Sequence, residues 1–159
     1  MRTFHRHTLR LDRILMCLLS LGLLCGCTHN NGDIGVWFGT WALTSVTVDG
    51  EPGAEYANNS TWSFQNRVIK IQVEYDHSNY HDHYGTWSQE GDNFTLDYTH
   101  TDQNEPEWSF MYKFPEHMYF GMRQGVAEMH VEHLSGKNAD LKYVNPEGQT
   151  VVYHLKKLY

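Results

Sequence analysis

From Trp41 to Lys157 the chain alternates apolar and polar residues over short spans separated by turn formers, and no stretch holds a 3.6-residue period. Trp41, Leu43 and Ser45 alternate with Ala42, Thr44 and Val46 up to a turn at Asp49 and Gly50. Trp62 and Phe64 share a face, a turn follows at 65–67, and Ile69, Ile71, Val73 and Tyr75 then oppose Lys70, Gln72 and Glu74, a hairpin pattern. A second hairpin is predicted where YGTWSQE (84–90) and FTLDY (94–98) flank Gly91, Asp92 and Asn93, residues that tolerate positive φ. Trp108, Phe110, Tyr112 and Phe114 alternate with Ser109, Met111 and Lys113 until Pro115, which cannot donate to a ladder, ends the run. Three more strands are predicted at 126–134, 139–144 and 150–157, separated by SGKN and NPEGQ. The fold class expected is all-β, an antiparallel up-and-down barrel of about eight or nine strands, because short turns favour a meander and closure removes exposed edges.

Residues 1–13 hold four arginines and one acid and run into the apolar stretch ILMCLLSLGLLCG (14–26). Thirteen residues fall short of the roughly 20 needed to span a bilayer, so this reads as a secretion signal. Its end, Leu24-Cys25-Gly26-Cys27, resembles the bacterial lipoprotein signal: an aliphatic residue, two small residues, then a cysteine. That resemblance implies that Cys27 becomes the first residue of the mature chain, carrying a thioether-linked diacylglycerol and an amide-linked chain such as palmitate. Each buried methylene stabilises by about 0.8 kcal/mol, so several chains anchor durably. The plainer alternative is an ordinary cleaved signal with Cys27 a bystander. Cys17 and Cys25 leave with the signal, and no disulfide is available to the mature chain. The expected organisation is a signal at 1–26, the lipidated cysteine and a short polar linker at 27–35, and one domain at 36–159. In lipoproteins of this kind an aspartate after the cysteine retains some at the inner membrane; Thr28 stands there instead, so the resemblance implies the outer membrane of a bacterial envelope.

Without its first 26 residues the chain keeps eight of twelve basic residues and eighteen of nineteen acids, a formal charge near −10. Such a surface repels phosphate backbones, which argues against nucleic acid as a partner, and disfavours lying flat on anionic lipid.

Gly39-Thr40-Trp41 at the head of the first strand, the run of hairpins and the closing VVYHLKKLY (151–159) resemble the lipocalin-like domains of bacterial lipoproteins, over 37–159. The resemblance implies that Gly39 bends the chain into the first strand and that Trp41 plugs the closed end of the barrel. The same letters return at Gly85-Thr86-Trp87, mid-chain, where they resemble a fourth strand with an inward ring rather than an internal repeat. Classical lipocalins set a late arginine against the plugging tryptophan, whereas the arginines past residue 26 are Arg67 and Arg123, outside the closing strand. Lys156 or Lys157 is the substitute cation, without the flat guanidinium that stacks on indole. The looser, lipocalin-like label therefore fits better.

An eight-stranded interior is filled by side chains or holds one small ligand. Alternation sends Trp41, Trp62, Phe64, Trp87, Phe94, Tyr98, Trp108, Phe110, Tyr112, Tyr143 and Tyr153 inward. Inward tyrosine hydroxyls need partners, which favours a pocket for a small apolar or amphipathic molecule. Its candidate contacts are Trp62, Phe64, Trp87, Tyr98, Trp108, Phe110, Tyr112, Tyr143 and Tyr153, with Phe120 from PEHMYFGMRQG (115–125), an apolar connection that reads as a flap or a lid. The rival is a filled barrel that serves as a protein interaction module. A third reading is metal capture by His77, His81 and His83 in DHSNYHDHYG (76–85), although the cluster lacks thiolates and reads more plainly as a solvated loop. His130 lies between Glu128 and Glu132 on a strand's outer face. No nucleophile motif or phosphate-cradling loop occurs, so neither an enzyme nor a cofactor is expected. Glu90 and Asp92 read as turn residues away from any cleft. The chain is expected to act as a monomer.

Overall fold

The alternations become strands that join edge to edge into a closed wall. The computed structural model describes residues 32–53, 56–76, 79–99, 113, 114, 122 and 125–159. Cys27 and the signal, Trp108, Phe110, Tyr112, Phe120 and His77 lie outside the described residues. The chain divides into two units, Met1–Gly32 and Asp33–Tyr159, and the second carries the strands. A 3-10 segment, Gly32–Trp37, leads into β1 (Gly39–Val48), β2 (Glu51–Pro52), β3 (Ser60–Gln65), β4 (Val68–Tyr75), β5 (Asn79–Glu90), β6 (Asn93–Asp97), β7 (Val126–Leu134), β8 (Asn138–Val144) and β9 (Thr150–Lys157). Each strand from β3 onward pairs antiparallel with the next, β1 pairs with β3, and β9 returns to β1. Eight strands thus close an up-and-down barrel, and β2 adds a two-residue ribbon to the end of β1.

Alternation explains the core directly on most strands. In β4, Ile69, Ile71 and Val73 are fully enclosed while Lys70 and Gln72 are half-buried on the other face. In β9, Val151, Tyr153 and Leu155 do the same. On β7, Ala127, Met129 and Val131 face in, and Glu128, His130 and Glu132 face water. The turns use their chemistry: Asn66 (φ 54°) sits in the two-residue β3–β4 loop and Gly91 (φ 60°) in the β5–β6 loop.

Four expectations change. β1 is not a simple alternation: a bulge between Leu43 and Ser45 leaves Thr44 and Ser45 both exposed, so Val46 rather than Ser45 points inward. His81 and His83 belong to β5, which pairs with β4 from Tyr75↔Asn79 onward, and not to a loop. Lys113 and Phe114 are not in a strand, and β6 bonds directly to β7, from Asn93↔His130 to Asp97↔Val126, so no further strand stands between them. Ile34, inside the stretch expected to be linker, packs against the core.

Candidate functional site

The strand ends divide the lumen into two halves. At the end that holds the start of β1 and the close of β9, five rings meet. Trp37 lies 5.4 Å from Trp41, 5.1 Å from Phe64, 6.2 Å from Trp87 and 4.9 Å from Phe94, centroid to centroid. Trp87 stacks on Phe94 at 5.7 Å and meets Phe64 edge-on at 5.3 Å. Such tilted and edge contacts each add about 0.5–1.5 kcal/mol beyond the area they bury. The indole N–H groups are employed as well: Trp41 Nε1 donates to the Trp37 carbonyl (2.9 Å) and Trp37 Nε1 to Gln89 Oε1 (2.6 Å). Over this plug stands the Lys157 ammonium, 5.3 Å from the Trp41 ring and donating to the Val36 carbonyl at 2.8 Å.

Gly39 is fixed by backbone. Its φ is +117°, and an added Cβ would come within 2.2 Å of the Tyr159 carbonyl oxygen. That carbonyl accepts from Thr40 N–H (3.1 Å), and Leu158 N–H donates to the Thr40 carbonyl (2.8 Å), so the two chain ends of the barrel are knotted at one point. Gly85 is needed for another reason: a Cβ there would strike the Tyr98 ring at 2.7 Å and the Asp97 carbonyl at 2.8 Å. The two Gly-Thr-Trp copies thus share letters and differ in work.

The far half carries polar-tipped groups. Ser60, His83, Tyr98 and Tyr153 are buried there, with Trp62 6.0 Å from the Tyr153 ring. Tyr75 and His81 pair at the rim, 4.7 Å apart. Tyr56 donates its hydroxyl to the Leu43 carbonyl, and burial pushes its pKa up to about 12, against the backbone N–H groups of Ser60 and Asn59, which pull it down. This half is covered from outside the wall: Phe114 lies 4.2 Å from the Tyr98 ring, Lys113 places its carbonyl 2.8 Å from His83 Nδ1, and Met122 is buried in the same core.

The candidate residues therefore separate. Phe64 and Trp87 sit in the plug, Trp62, Tyr98 and Tyr153 in the far half, and Tyr143 packs half-buried against the core. Among the described residues no three His, Cys, Asp or Glu side chains converge to hold a metal ion. Trp37 escaped the sequence reading, although its spacing of four residues before Trp41 is the available signal. Outside the wall, at the plugged end, a cleft of about 990 Å³ runs along Ile34, Asn66, Arg67, Ser88, Glu90 and Thr95. Glu90, read from sequence as remote from any cleft, lines it.

This arrangement, an eight-stranded meander plugged by tryptophan, invites comparison with known domains, and the sequence profile of the lipocalin-like domain matches residues 22–156. The chain belongs to the lipocalin-like domain family. Two solved structures resemble this lipocalin-like chain. One is a lipocalin-like protein from Bacteroides uniformis ATCC 8492, 20% identical with a TM-score of 0.56, the match covering 78% of this chain and 100% of that one. The other is an uncharacterized protein from Bacteroides eggerthii DSM 20697, 19% identical with a TM-score of 0.54, covering 76% and 98%. At such identity they establish the fold alone. No curated protein matches the sequence. The lipocalin-like barrel supports a small-molecule binding role in the coarse sense, because a barrel of eight strands is one that can hold a small ligand when side chains do not fill it.

Proposed function

We propose that this lipocalin-like domain is tethered by lipid on Cys27 at the bacterial outer membrane and binds one small amphipathic molecule in the far half of its lumen. The observation that carries the reading is the source of the filling. The plug is made of rings from the wall and from the segment that enters it, whereas in the far half Phe114, which is in no strand, packs on Tyr98, and Met122 adds to the same core. Phe114, which is not part of the wall, occupies space beside Tyr98 that a ligand would take in its place. The ligand's apolar part would lie on Trp62, Tyr98 and Tyr153, and its polar part would face Ser60 and His83. No catalytic step is assigned to any residue.

Full enclosure of Trp62, Tyr98 and Tyr153 favours the second reading, a filled barrel that works through its outer surface. Native mass spectrometry of the Cys27→Ser protein, which cannot be acylated and is purified without detergent, separates the two. A retained small-molecule mass, or uptake of a fluorescent fatty acid that Trp62→Ala abolishes, supports binding; repeated absence of both supports the filled module. Zinc titration of the same protein by calorimetry tests the histidines, and no heat beyond buffer removes them.

A further inference from the structure

The plugged end of the barrel has a surface chemistry unlike that of the whole. Here lie the 3-10 segment, the β3–β4, β5–β6 and β7–β8 turns and the residues after β9. Of the seven large apolar side chains exposed among the described residues, four are at this end: Val36 (40%), Val68 (46%), Leu158 (52%) and Tyr159 (81%). Hydrogen bonds draw the first and last residues together here, Lys157 Nζ to the Val36 carbonyl and Leu158 N–H to the Thr40 carbonyl. Ile34 and Arg67 border one cleft, which joins the β3–β4 corner to the same face.

The charges follow the apolar groups. Of the seven lysines and arginines among the described residues, Arg67, Lys137, Lys156 and Lys157 stand at this end, with Lys157 N–H donating to the Lys137 carbonyl at 2.8 Å. The acids of this end are Glu90, Asp92 and Asp97, the last in the same cleft as Arg67, with Asp33 in the leading segment, so acids and cations are equal in number. The opposite turns carry Asp49, Glu51, Glu74, Asp76 and Glu147. A chain with a formal charge near −10 past residue 26 therefore offers one apolar-tipped end whose charges balance, with its lysines at the tips, while the rest of the surface is acidic. This is also the end at which the chain arrives: Gly32 is five residues after Cys27, a reach of at most about 18 Å fully extended.

We infer that the plugged end rests on an anionic phospholipid surface. Val36, Val68, Leu158 and Tyr159 enter the headgroup layer, the four cations meet lipid phosphates, and the acidic end points away. The inference rests on the Cys27 tether. Short apolar side chains and a tyrosine suit the interface, and lysines extend their stems through it to keep their ammonium groups among phosphates. Acidic repulsion from the rest of the surface excludes a sideways pose, so charge fixes orientation as well as contact.

The test uses the acylated protein in vesicles of phosphatidylglycerol and phosphatidylcholine, with an environment-sensitive fluorophore on Leu158→Cys or, at the opposite end, on Val144→Cys. Brominated lipid is expected to quench the label at 158 and spare the one at 144. Lys137→Gln and Lys156→Gln are each expected to lower the docking equilibrium about fivefold. Mass spectrometry of the same sample reads the acyl groups. Acylated protein whose label at 158 is not quenched overturns the docking alone, as does equal quenching in purely neutral vesicles; a chain without acyl mass overturns the tether and the docking with it.

Discussion

At the plugged end the lumen is filled by Trp37, Trp41, Phe64, Trp87 and Phe94, rings carried by the entering segment and four strands. At the far end the rings of Trp62, Tyr98 and Tyr153 are joined by buried Ser60 and His83, and Phe114 and Met122 arrive from a long connection to cover them. In the first region four of the five filling rings belong to strands of the wall and the fifth, Trp37, touches all four, so losing one opens a cavity that the wall cannot collapse around. In the second, part of the filling is Phe114 and Met122, neither of which belongs to a strand. The aromatic framework is concentrated in one half, and the exchange proposed above in the other.

The comparison breaks first at Trp37. Trp37→Ala is expected to cost about 3–5 kcal/mol in chemical denaturation, because it removes the ring that touches four others, and to leave fluorescent fatty-acid affinity unchanged in whatever protein stays folded. A loss below about 1 kcal/mol would mean that the plug is not structural. Gly39→Ala comes next, at about 1–3 kcal/mol, because a side chain there meets the Tyr159 backbone at positive φ; denaturant midpoints of the variant and wild type measure it. Phe114→Ala is expected to cost about 1–2 kcal/mol, less than a framework aromatic, and to tighten fatty-acid uptake by vacating its place beside Tyr98. Weaker uptake in that variant would make Phe114 a ligand contact instead of a stand-in. Lys157→Met should cost about 0.5–1 kcal/mol through the lost contact with the Trp41 face, read as a small drop in melting temperature.

The smallest effect is one of pH. Tyr56 has a folded pKa pushed up to about 12 from the ordinary 10, so between those values the unfolded chain releases a proton that the folded one keeps. Stability contributed by neutral Tyr56 is complete below pH 10 and declines as pH rises toward 12. Melting temperatures across that window should fall less steeply for Tyr56→Phe than for wild type; parallel curves would discard this assignment.

The barrel was legible wherever burial follows a strict period of two, as in VIKIQVEY of β4 and the inward Val151, Tyr153 and Leu155 of β9. It was illegible where the ladder breaks that period. In β1 either Ser45 or Val46 continues an alternation, and only the bulge against β9 decides for Val46. The first residues of β5, NYHDH, read as a polar loop because polar side chains and few apolar ones signal solvent; here the ladder with β4 holds them extended and turns His83 inward. β2 is two residues long and leaves no pattern to read. For the site, the inward rings were readable, yet their division into plug and far half was not, because that depends on which strand ends share a level.

The pairing of β1 with β9, from Trp41↔Lys157 to Val48↔Val151, joins residues more than a hundred positions apart. Until the last strand has left the ribosome, β1 has no partner along that edge and the cylinder has a gap in its wall. Closing so distant a seam exacts a large loop entropy before any contact repays it, so this topology belongs among slow folders. Before that seam closes, the same strands can form only an open meander with two bare edges, the form in which pairing with another chain threatens them most.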